Sequence, residues 1–154
     1  MAKTYPERCA FYKLCDSDFI TAQNSIALLK EFRESKVRHV FLRDIAVSYS
    51  RPFAGSKGVE VAKYVLKERF VPRKNLTLHK ELIALRNQIF AHTDLTYRKP
   101  RVADFSCGNN RWFPMAFKAY DYDGLFAKIE DISGLIKEIQ GNLRKEIAQI
   151  ESNI

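Results

Sequence analysis

The run Leu85-Arg86-Asn87-Gln88-Ile89-Phe90-Ala91-His92-Thr93-Asp94 holds the residue types best suited to chemistry in this chain. An imidazole exchanges protons near neutral pH, and a guanidinium is a permanent cation whose planar fork fits a phosphate. On a helix, His92 continues the stripe Leu78, Leu82, Leu85, Ile89 toward a packed seam. Arg86 precedes His92 by six residues, which is about 120° around a regular helix and about 9 Å along it. Two such groups on one helix do not converge easily; they converge when two copies of the helix approach about a two-fold axis. A purely structural reading stands beside this one. A histidine near a helix end often packs or caps, and Arg86 has Glu81 and Asp94 as candidate partners.

Basic residues gather around the run. From Lys63 to Arg101 there are ten basic and three acidic residues, among them Arg69, Arg73, Lys74, Arg98, Lys99 and Arg101. Together they suggest a phosphate-tracking surface with salt-dependent binding, against the plainer reading of solvated charge. His79 precedes Arg86 by seven residues and shares its face, where it lines the cleft or is merely an exposed or supporting histidine. Tyr97 and Trp112 are candidates for stacking on unpaired bases, or for packing. His39, between Arg38 and Val40, reads as structural or solvated.

The elements that position these groups read as helices. A chain of 154 residues with 46% hydrophobic and 29% charged residues suits one globular domain spanning 1–154. Leu125, Ile129, Ile132, Ile136, Ile139, Leu143, Ile147, Ile150 and Ile154 recur at intervals of four and three, predicting a long C-terminal helix capped by Asp121 or Asp123. Gly134 and Gly141 weaken it by about 1 kcal/mol each relative to alanine. Asp16 or Ser17 reads as the cap of a first helix with Phe19, Ile20, Ile26, Ala27, Leu29 and Phe32 inward. A second runs from about Lys36 to Ser50 with Val37, Val40, Phe41 and Ile45 inward, followed by a loop at Pro52, Gly55 and Gly58. Residues 59–70 are a short helix or an irregular packed segment, and Thr77 caps the helix that carries the motif. Between Pro100 and Tyr120 the pattern turns extended and aromatic, predicting at most an edge hairpin about Cys107-Gly108-Asn109-Asn110. The expected fold is all-α: four to five helices in a bundle with a small irregular or hairpin insertion near 100–120.

Composition excludes several classes. The longest apolar runs fall far short of the ~20 residues of a membrane span, and the first residues lack a secretory signal. Cys9, Cys15 and Cys107 cannot all pair and have no C-x-x-C spacing, which argues against a disulfide framework and a zinc site. A soluble, cytoplasmic protein is expected. The net charge of +8 points to a polyanionic partner, and it lies in residues 1–120, since 121–154 hold four basic and seven acidic residues.

Arg86-Asn87-(four residues)-His92, late in a small helical bundle, resembles the R-x(4–6)-H signature of the HEPN superfamily, the higher eukaryote and prokaryote nucleotide-binding domain. The wording Leu85-Arg86-Asn87 … Phe90-Ala91-His92-Thr93-Asp94 is similar to abortive-infection-like bacterial members. The resemblance implies a metal- and cofactor-independent endoribonuclease that acts as a homodimer on RNA, in phage defence or toxin–antitoxin growth control, with an antitoxin or regulatory protein as a further partner. It implies His92 as general base on a ribose 2′-hydroxyl or general acid on the leaving 5′-oxygen, Arg86 on the scissile phosphate, and Asn87 orienting either. The products would be a 2′,3′-cyclic phosphate and a 5′-hydroxyl. HEPN toxins paired with nucleotidyltransferase antitoxins often carry a tyrosine two residues after the histidine; here Asp94 stands there, and Tyr97 is the nearest tyrosine downstream. A non-catalytic HEPN-like module binding nucleotides, RNA or a protein is the alternative, and a structural helical protein with an accidental motif is the third reading.

Overall fold

The computed structural model describes residues 6–154. Two long antiparallel helices, α1 (Glu7–Glu31) and α2 (Ser35–Ala54), are followed by an irregular stretch and then α3 (Leu76–Leu85). A one-turn α4 (Leu95–Arg98) leads into a nested hairpin, and α5 (Tyr122–Ala127) and α6 (Ile129–Glu151) close the chain. The molecule is mainly helical, with a small region of two short antiparallel strand pairs. Among the described residues no helix is long and apolar enough to cross a membrane.

The core is a continuous apolar seam. On α1, Cys9, Tyr12, Cys15, Phe19, Ala22, Ile26 and Leu29 recur at helical spacing and are all buried. They meet Leu42, Ile45 and Tyr49 of α2, and Ile132, Leu135, Ile136, Ile139 and Leu143 of α6. A fully buried leucine or isoleucine contributes roughly 1.5–3 kcal/mol. Several such residues more than offset Gly134 and Gly141 in the same helix. Polar ties fix the register: Asp16 accepts from Gln140 Nε2 at 2.9 Å and from Arg144 Nε at 3.1 Å.

The structure revises several boundaries. Asp16 and Ser17 lie inside α1 rather than at its start, because the stripe already begins at Cys9. Ile20, Phe32 and Val40 are exposed rather than inward, as is Ala27. Helix α2 does not stop before Pro52 but passes through it to Ala54, and Gly55, at φ 91°, ends it. Lacking an N–H, Pro52 forfeits one helical bond. Burial of Tyr49 and Pro52 holds this last turn, and Leu66 N–H donates to the Pro52 carbonyl at 2.8 Å. Residues 59–70 form an irregular segment ending in a 3₁₀ turn at Glu68–Phe70. Thr77 is not a cap: α3 begins at Leu76, after Asn75.

The C-terminal stripe is buried from Leu125 through Ile147, while Ile154 is exposed. Asp121 caps its beginning, accepting from Gly124 N–H at 2.9 Å. The predicted single rod is broken at Lys128 into α5 and α6.

The insertion is a hairpin arm. Strands β1 (Arg101–Val102) and β4 (Met115–Ala116) pair at its root, and β2 (Phe105–Cys107) and β3 (Asn110–Trp112) pair toward its tip. Gly108, at φ 58°, occupies the first position of the two-residue tip, where a type II′ turn favours glycine. Every residue from Lys99 to Ala119 is exposed. The arm stands off the helical body.

Candidate active site around Arg86 and His92

Helix α3 does not run regularly through the motif. At Arg86 its ladder widens into a single π turn, Arg86–Phe90, closed by Ala91 N–H donating to the Arg86 carbonyl at 2.8 Å. Ile89 and Phe90 keep their buried places, but the following residues leave the helix. His92 therefore does not continue the apolar stripe into a packed seam; it is exposed, on a bend beyond the helix end. Such π turns recur at functional sites, where they re-aim side chains.

The structural alternatives for Arg86 are not taken up. Glu81 accepts Lys128 Nζ on both carboxylate oxygens at 2.8 Å. Asp94 caps α4, accepting from the Thr96 hydroxyl at 2.5 Å, Tyr97 N–H at 3.1 Å and Thr96 N–H at 2.8 Å, and these bonds, the hydroxyl's foremost, hold its carboxyl below the usual carboxylate range. The half-buried Arg86 instead donates from Nη1 to Asn87 Oδ1 at 2.9 Å. Arg86 and Asn87 line a depression of about 230 Å³ beside Ser50, Phe53, Ala54 and Ile83.

His92 borders different ground. On one side lies an apolar cleft of about 350 Å³ walled by Ile89, Leu95, Pro100, Met115 and Phe117. On the other lies a polar cleft of about 300 Å³ reached by Arg43, Thr93, Arg98 and Tyr122. The imidazole and the Arg86 guanidinium thus open onto separate depressions.

His79, expected to line the cleft or to be an exposed or supporting histidine, is not exposed but lies in the core at 3% exposure. Its Nδ1 is 2.7 Å from the Tyr49 hydroxyl, and the Phe53 ring packs edge-on at 4.6 Å. Burial pushes its pKa down, with Glu68 opposing and Lys80 adding to the shift. It is walled off from solvent.

The basic cluster read along the chain is divided in space. Arg73 and Lys74 precede α3, whereas the motif follows it, so the ten residues of that helix separate them, roughly 15 Å. Lys74 pairs with Glu138 at 2.7 Å, and Arg69 with Glu146 at 2.9 Å. Arg98, Lys99 and Arg101 stay on the motif's side, at the root of the arm. The Arg98 guanidinium sits 5.2 Å from the Phe117 ring centre. Tyr97 is half-buried beneath Lys118 Nζ at 4.5 Å, whereas Trp112 is exposed on β3. His39 stacks on Tyr122 at 3.9 Å and so ties α2 to α5.

Arg43 and Tyr122 border His92 without any sequence signal linking them to it, since they arrive from α2 and α5. Among the described residues no group of three His, Cys, Asp or Glu side chains could hold a metal ion. No protein-family model, curated protein or solved structure matches the chain.

Proposed function

We propose that this protein is an endoribonuclease of the HEPN type, cleaving RNA by attack of a ribose 2′-hydroxyl on the adjoining phosphodiester. The observation that carries the reading is that the fold uses neither Arg86 nor His92 as its own sequence would allow. Glu81 and Asp94 are engaged elsewhere, and the π turn delivers His92 to solvent.

His92 takes the 2′-hydroxyl proton, or returns one to the leaving 5′-oxygen. Arg86 holds the phosphate and offsets charge as it develops, and Asn87, already bonded to Arg86, fixes the plane of the guanidinium. The nucleophile is part of the substrate, so no metal-activated water is needed. The ends formed are a 2′,3′-cyclic phosphate and a 5′-hydroxyl. Because Arg86 and His92 open onto separate depressions, the reading requires a homodimer that brings one protomer's Arg86 to its partner's His92 bend. A cytoplasmic role in phage defence or toxin-type growth control, restrained by a further protein, follows from the same resemblance.

The test is cleavage of a mixed RNA pool in excess EDTA by wild type, Arg86→Ala and His92→Ala. Cleavage by wild type alone supports the assignment. Undiminished cleavage by folded His92→Ala removes His92 from the mechanism. A strict monomer at micromolar concentration that binds RNA without cutting it favours the binding-module reading.

A further inference from the structure

We propose that the two clefts flanking His92 form one site for an unpaired nucleotide of a single strand, the apolar cleft taking the base and the cationic cleft its phosphate. The proposal rests on the ribonuclease reading for the role of His92, and it names what that site selects. Both clefts share Ile89, His92, Thr93 and Arg98, so they adjoin across the histidine. The base side is walled by Met115 and Phe117 from the arm root, which stay 57% and 52% exposed although the Arg98 guanidinium lies 5.2 Å from the Phe117 ring centre. The phosphate side has Arg43 and Arg98 and, although the chain carries 18 acidic residues, no carboxylate in the lining of either cleft. An apolar slot beside two guanidiniums is the arrangement that base stacking and phosphate pairing require.

A strand fits better than a free nucleotide. Residues 95–120 hold five basic residues against one acidic, and that one, Asp104, is engaged by Arg111. Beyond the clefts the exposed rings of Phe113, Trp112 and Phe105 continue along the arm, and the Arg111 guanidinium lies 5.1 Å from the Phe113 ring centre. Exposed rings therefore continue past the reach of one nucleotide. A base held in a duplex is stacked and paired and cannot enter the slot.

The experiment measures anisotropy of a fluorescent ten-nucleotide deoxy strand, which lacks the 2′-hydroxyl and cannot be cut by the proposed route. Wild type, Phe117→Ala and Arg43→Gln are compared, with the duplex form and a mononucleotide as competitors. Circular dichroism checks folding, and Phe117 is exposed. The expected result is about 5- to 150-fold weaker single-strand binding by Phe117→Ala, the range corresponding to one stacked base, with duplex binding unchanged. Arg43→Gln should reduce the slope of log affinity against log salt by about 0.7. Equal affinity for duplex and single strand, competition by the mononucleotide at the strand's own affinity, or no effect of Phe117→Ala overturns the proposal. So does an absence of single-strand binding. Binding as expected with no RNA cleavage by wild type retains the strand site and removes the ribonuclease reading. Cleavage with both variants unaffected does the reverse.

Discussion

Removing the Tyr49 hydroxyl tests whether His79 is a structural residue. Tyr49 is fully buried, and its hydroxyl is the hydrogen-bond partner of His79 Nδ1 at 2.7 Å. Tyr49→Phe keeps the ring contacts with Phe19 and Phe53 and leaves a buried ring nitrogen without its partner. Such an orphaned group costs about 1–3 kcal/mol, and for a chain of this size each kcal/mol lowers Tm by roughly 2–4 °C. Replacing both partners, as in Tyr49→Phe/His79→Leu, costs less than the two single changes added together. The pH dependence carries a definite sign. Burial lowers the native pKa of His79 while the unfolded side chain titrates near 6.5. Below about pH 6.5 the unfolded chain therefore binds a proton that the native state refuses. The stability from neutral His79 is full above that pH and is lost as pH falls toward the depressed native pKa. Urea unfolding followed by far-UV circular dichroism at pH 7.5 and 5.5 measures both effects. Tyr49→Phe within 0.5 kcal/mol of wild type at pH 7.5, on the scale of an ordinary surface change, would refute the buried pair. So would an identical loss on acidification in wild type and His79→Leu.

Three further outcomes follow from the same structure. Gly134→Ala and Gly141→Ala place a methyl where nothing lies within 4 Å, so each should raise stability by about 1 kcal/mol in chemical denaturation. Asp94→Ala removes the acceptor for Thr96 and Tyr97 N–H, and hydrogen exchange at those amides should accelerate with α1 and α6 unchanged. Glu81→Gln breaks a half-exposed ion pair with Lys128, so it should cost under about 1 kcal/mol. It should also leave RNA cleavage intact, which a catalytic Arg86–Glu81 pair would not allow.

Much of the framework was legible because apolar spacing is a strong constraint. The recurrences through Leu143 and through Leu85 can bury only one face each, and Asp121 marks the start of the C-terminal pair by its cap. Position 92 was misread because the same counting assumes a constant turn. The π turn at Arg86–Phe90 breaks that register, and side-chain types alone do not announce it. Pro52 misled in the opposite direction, since tertiary burial held a helical turn that local chemistry disfavours. The arm's pairing was anticipated near Gly108, yet its detachment from the body was not, because aromatic residues usually signal burial. Arg43 could not be assigned to the His92 clefts from sequence, as only the packing of α2 brings it there.

The mass of the 3′ ends released from RNA in excess EDTA decides whether His92 and Arg86 drive 2′-hydroxyl attack. Wild type should yield 2′,3′-cyclic phosphates opposite 5′-hydroxyls, and His92→Ala and Arg86→Ala should yield neither. Fragments ending in 3′-hydroxyls, or the same cyclic ends from folded His92→Ala, would contradict it.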